Sequence, residues 1–113
     1  MSKVEQIISK ELLSKVLEVD VISRNIKSNI VYYNGIYDCG SINIHELAHK
    51  CKEWALKDYE IHSAIVDVNK AYCEVFSTRI EELEFEAPTE PEAIFKACEW
   101  LLENKKDKQK DVQ

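Results

Sequence analysis

Glycine and proline are scarce in this chain, two of each among 113 residues, while hydrophobic residues make up 45%. That balance excludes a disordered chain and implies order nearly end to end. Basic residues are also in deficit. Lys and Arg total 15 against 21 Asp and Glu, a formal charge of -6, which argues against general affinity for nucleic-acid phosphates, since such binding draws on clustered cations. No positively charged segment followed by a long apolar stretch opens the chain. No run approaches the roughly 20 apolar residues a bilayer requires, so neither export nor membrane insertion is expected. There is no C-x-x-C pair, no Gly-rich phosphate loop and no G-x-S-x-G elbow, the short signatures of zinc or redox, nucleotide and acyl-transfer sites. No internal repeat is evident from residue identities.

The length is near the commonest domain size, where one hydrophobic core forms and a second would lack buried surface. A single α+β domain over residues 1–104 is expected, with a charged tail at 105–113 that has little to bury and should fray. Cys39, Cys51, Cys73 and Cys98, without an export signal, are read as thiols that serve as small apolar core residues.

Ser9 is placed to cap a first helix, with Ile8 and Leu13 as a hydrophobic staple and Leu12, Leu13, Val16 and Leu17 as its buried stripe, ending near Glu18. Residues 19–26 and 29–33 are rich in β-branched and aromatic side chains and predict two strands. Asn34-Gly35 supplies positive-φ turn chemistry, and a short third strand is expected at 36–39. Asn43, with Glu46 closing a capping box and Ile42 and Leu47 as a staple, opens a helix to about Lys57. Its core face is Ile44, Leu47, Ala48, Cys51, Trp54 and Ala55. Residues 59–68, 71–78 and 80–87 read as an antiparallel meander. In the last of these Leu83, Phe85 and Ala87 alternate with Glu82, Glu84 and Glu86. Thr89 and Glu92 form another capping box for a helix to about Asn104, with Ile94, Ala97, Cys98 and Leu101 inward and Glu92, Lys96, Glu99 and Glu103 toward solvent. The order α-β-β-(β)-α-β-β-β-α predicts about five mostly antiparallel strands with three helices packed on the sheet, on one face or both.

His45-Glu46-Leu47-Ala48-His49 matches the zinc-protease pattern, in which two imidazoles one helical turn apart ligate an ion and the glutamate activates its water. So short a pattern also arises by chance, and geometry weighs against it here. His45 falls in the first helical turn, Glu46 has a capping task, and Lys52 shares the flank of His45 and His49, where its ammonium would repel a cation. A third ligand has no familiar short spacing; His62 and Glu74 are the candidates.

Glu81, Glu82, Glu84, Glu86, Glu90 and Glu92 concentrate negative charge. One reading is a solvated sheet face with favourable charge at a helix N-terminus. The other is an acidic surface, Glu81, Glu82, Glu84 and Glu86, that docks a basic protein groove, with salt-sensitive binding. Tyr32, Tyr33 and Tyr37 surround Asn34-Gly35. Adjacent Tyr32 and Tyr33 point to opposite faces, so either core packing or an exposed interface anchor fits them. Trp54 and Trp100 are read as core residues.

The segments ISKELLSKVL (Ile8–Leu17), INIHELAHKCKEWA (Ile42–Ala55) and TEPEAIFKACEW (Thr89–Trp100) together resemble small phage and prophage proteins of unassigned activity. The helix, strand, helix plan is similar, more loosely, to phage ABA sandwich domains. The resemblance spans about residues 8–104 and leaves the strands from Tyr59 to Glu86 unmatched. It implies a mobile-element origin and a helix-flanked sheet, and it brings no catalytic residues.

Two classes of function are expected. The first is a non-enzymatic accessory or anti-defence protein, in the cytoplasm of an infected or lysogenic bacterium, which blocks a host or phage protein by covering its basic surface. It needs no cofactor, metal, nucleic acid or membrane. The second is a zinc-dependent hydrolase with His45 and His49 as ligands and Glu46 as base. A homodimer formed through a sheet edge or helix face is a further option.

Overall fold

In a computed structural model, residues 8–57, 59–76 and 82–111 are described, with side chains as far as Asn104. Nine elements follow in order. They are α1 (Lys10–Leu17), β1 (Val21–Lys27), β2 (Ile30–Gly35), β3 (Cys39–Asn43), α2 (Ile44–Ala55), β4 (Glu60–Asp67), β5 (Lys70–Phe76), β6 (Leu83–Ala87) and α3 (Glu90–Asp111). The fold is α+β with antiparallel strands throughout, as the sequence predicts, but the strands form two sheets of order β1-β2-β3 and β4-β5-β6. The division follows from the chain: α2 starts directly where β3 ends, so β4 begins a separate meander.

All three N-cap residues act as the sequence predicts, but the capping box expected at Glu46 does not close. Ser9 accepts the Leu12 N–H at 3.0 Å, and Ile8 and Leu13 are buried as the staple. Asn43 accepts the His45 N–H at 2.8 Å, and Thr89 Oγ1 accepts from Glu92 at 3.4 Å. The Glu46 carboxylate makes no return hydrogen bond among the described residues; it is exposed. Helix α3 continues to Asp111, past the Asn104 expected from its apolar stripe.

The first hairpin turns at Ser28-Asn29, close to the break the sequence leaves between its first two strands, whereas the positive-φ turn expected after the second strand at Asn34-Gly35 does not form. Ser28 and Asn29 both have positive φ, 53° and 65°, and Lys27 pairs with Ile30 across them, the backbone a two-residue hairpin needs. Gly35 lies at the end of β2 without positive φ. It is required for a different reason: a Cβ there would stand 3.0 Å from the Asp38 carbonyl oxygen and 3.1 Å from that of Asp20. Residues 36–38 form the turn, so the third strand begins where it was expected to end, at Cys39.

Each sheet turns one face to a single core, which answers whether one or both faces are covered. From the first sheet come Val21, Val31 and Ile42, and from the second Ile61, Cys73, Val75 and Ala87. The outward positions Asn25, Tyr32 and Ser41, aligned across the first sheet, are exposed. Helix α3 lies against β4, β5 and β6 and also against α2, so it buries a wide arc that includes Ala93, Ile94, Phe95, Ala97, Cys98, Leu101 and Leu102. Helix α1 packs on β1 and touches both other helices. Three of the four cysteines are core residues as expected; Cys39, on the outward side of β3, is exposed.

Glu99 departs from its assigned solvent face. Its carboxylate accepts the Ser9 N–H at 2.5 Å and the Ser9 hydroxyl at 2.8 Å, while the Arg24 Nε donates to the Ile8 carbonyl at 3.0 Å. The start of α1 is therefore held from α3 and from β1.

The element order contains two successive β-β-β-α units, β1 to α2 and β4 to α3. Their helices share Lys-x-x-Glu-Trp at the same distance from their caps, Lys50 to Trp54 after Asn43 and Lys96 to Trp100 after Thr89. Trp54 and Trp100 both pack half-buried against the core.

Candidate functional site

The outward face of the second sheet gathers carboxylates from three strands. Strand β6 alternates as the sequence predicts, with Ala87 buried, Leu83 and Phe85 partly so, and Glu84 and Glu86 exposed. Register places Glu74 between His62 and Glu84, and Tyr72 between Ala64 and Glu86. Glu60, opposite Phe76, shares this face. Of the predicted set, Glu82, Glu84 and Glu86 belong to it and Glu81 lies outside the described residues.

Among the described residues cations are sparse there. Lys70 stands 3.9 Å from Glu86, and His62 lies 3.7 Å from Glu60 while its ring meets Phe76 edge-on at 5.4 Å. The crowding has a chemical effect on Glu74, whose pKa is raised. A side-chain hydrogen bond with Glu82 is the largest cause, followed by desolvation and the charges of Glu82 and Glu84, with His62 opposing. A concentration of like charge that holds on to a proton is a surface from which an incoming cation would gain.

The His-Glu-x-x-His residues occupy a different place. His45 and His49 line a cavity of about 190 Å³ between the first turns of α2 and α3, with Ala48, Lys52, Glu90, Pro91 and Ile94. Lys52 stands on the same wall, as expected from the helical wheel, and donates through Nζ to Ser63 Oγ at 3.2 Å; that hydroxyl donates to Glu90 at 2.5 Å. His49 Nε2 lies 3.9 Å from Glu53. Neither proposed third ligand, His62 nor Glu74, lines this cavity; both sit on the outward face of the second sheet. Among the described residues no group of three or more His, Cys, Asp or Glu is arranged to hold a metal ion.

The Lys52-Ser63-Glu90 chain joins α2, β4 and α3 and was not visible in the sequence, where the three are far apart. Beside it Cys73 pairs across the ladder with Ser63. Burial pushes the Cys73 thiol up to about 12, with Cys98, Glu90 and Glu74 adding to the shift and Lys52 opposing it. That thiol is a packing group and not a nucleophile at neutral pH.

The tyrosines divide as strand alternation requires. Tyr33 is half-buried on the inner face, Tyr32 is exposed on the outer, and Tyr37 is 91% exposed in the turn. No helix among the described residues is long and apolar enough to cross a membrane. Comparison of the chain with models of known families, with curated proteins and with solved structures finds no match.

Proposed function

We propose that this protein is a non-enzymatic binding module that docks the outward face of its second sheet on the basic surface of a partner protein. The observation that carries the reading is the alignment of Glu74 with Glu84 in one register row, with Glu82 hydrogen-bonded to Glu74. Side-chain choices made for folding alone would relieve that repulsion, since like charges directly opposite each other on a sheet destabilise it. Phe76 and Tyr72 on the same face add aromatic surface of the kind that anchors interfaces. Together with the resemblance to small phage and prophage proteins, this supports a cytoplasmic accessory role in which a host factor is blocked by occupation of its basic surface.

Pull-down from a bacterial lysate at low and high ionic strength tests the reading. Capture should occur at low salt, weaken steeply as salt rises, and disappear for Glu74→Lys/Glu84→Lys while His49→Ala behaves as the parent. Recovery of no partner at any ionic strength would overturn it.

A further inference from the structure

At the far end of the first sheet, under the C-terminal end of α1, a cavity of about 480 Å³ is lined by Glu18, Asp20, Tyr33, Ile36, Tyr37 and Asp38. Its volume lies within the range of sites that hold a side chain or small ligand, about 300–1,000 Å³. The walls are fixed by the backbone. Gly35 N–H donates to the Asp38 carbonyl at 2.5 Å and Ile36 N–H to that of Asp20 at 3.1 Å, which ties the residues after α1 to the turn after β2. Tyr33 is held across the sheet over Gly40, whose missing Cβ would stand 2.6 Å from the Tyr33 hydroxyl.

The charged residues of the lining are all of one sign. Glu18, Asp20 and Asp38 are exposed and none forms an ion pair among the described residues. The end of α1 adds the partial negative charge of its last carbonyls. Lys15 lines the adjoining cavity beyond Glu18 and Asp20 without reaching ion-pair distance of either. Carboxylates alone would be ordinary solvated surface. Here the three residues line a cavity together with Tyr33 and Tyr37, and at its mouth Ile36 and Tyr37 are 57% and 91% exposed. Carboxylate edges with aromatic faces suit a guanidinium, which forms paired N–H···O bonds in its plane and stacks on rings.

We infer that this cavity receives an arginine side chain from a basic segment of a partner protein, with Asp20 and Asp38 as acceptors and Tyr33 and Tyr37 as the aromatic walls. The site uses no residue of the second sheet, so it stands or falls separately from the docking face above.

The test is a titration of the full chain, followed by backbone amide NMR shifts, with the capped tripeptide Gly-Arg-Gly and its lysine and citrulline counterparts. The arginine peptide should shift residues 18–20 and 33–39 saturably, the lysine peptide should bind more weakly, and citrulline, which keeps the shape without the charge, should give no saturable shift. Asp20→Asn/Asp38→Asn should weaken the arginine peptide by about tenfold or more, while Glu84→Gln/Glu86→Gln leaves it unchanged. Equal shifts from citrulline, or arginine shifts confined to the second sheet, would overturn the assignment. The citrulline comparison uses the unaltered chain and decides the matter even if the double variant folds poorly.

Discussion

The carboxyl groups of Glu74, on β5, and Glu82, just before β6, are hydrogen-bonded to each other on the outward face of the second sheet. Two carboxyls form such a bond only when one keeps its proton, so the folded chain holds that proton above the ordinary glutamate range. A raised folded-state pKa gives stability that is complete below the unfolded value and is lost as pH rises through the folded one. Glu74→Gln keeps a hydrogen-bond donor without the charge. Its melting temperature should therefore exceed the parent's at neutral pH and vary less between about pH 4 and about pH 7. A variant as pH-dependent as the parent would show that the pair shares no proton.

Thiol chemistry should separate the cysteines by position. Cys39 is exposed, while Cys51, Cys73 and Cys98 are buried, with Cys73 pushed up to about 12. A thiol-reactive dye at neutral pH should label Cys39 promptly and the others only on unfolding, a difference that peptide mapping by mass spectrometry resolves.

Removing the carboxylate of Glu99 should loosen α1 before the rest of the fold. Glu99→Ala deletes the two bonds to Ser9 and should cost about 1–2 kcal/mol in denaturant unfolding. Hydrogen exchange should quicken in residues 10–17 while α2 keeps its protection. Uniform loss across the molecule would mean that Glu99 supports the core and not the helix start.

The His45-Glu46-x-x-His49 motif makes a prediction through metal. Chelator should leave the melting temperature unchanged, since Lys52 shares the cavity, the Glu90 carboxylate there is bonded to Ser63, and among the described residues no group of three or more His, Cys, Asp or Glu is arranged to hold an ion. A rise on adding zinc that disappears in His49→Ala would return the hydrolase reading to first place.

What the sequence disclosed was local. Ser9, Asn43 and Thr89 act on backbone groups within one turn, so their residue types announce the helices, and the alternation in β6 announces which face is acidic. What it concealed depends on residues brought together from a distance. Glu74 and Glu60 join the acidic face only through strand register, and Lys52, Ser63 and Glu90 meet from three elements. The misplaced turn between the second and third strands has the same cause. Asn-Gly is the stronger local turn signal, but Gly35 answers to carbonyls of Asp20 and Asp38, while Ser28-Asn29 tolerates the left-handed conformation without a glycine. The two β-β-β-α units stay hidden because the shared Lys-x-x-Glu-Trp is short and the strands carry no matching motif.

The contact between Ser9 and Glu99 spans 90 positions of sequence, and this sets an order of events during synthesis. As the chain leaves the ribosome, α1 emerges before α3 and lacks its clamp until α3 has been made. Until then, Leu12 and Leu13, fully buried in the finished fold, have no α3 to pack beside. The start of α1 is thus secured only once α3 has joined it, while the strand that follows it directly, β1, can cover part of its apolar face earlier.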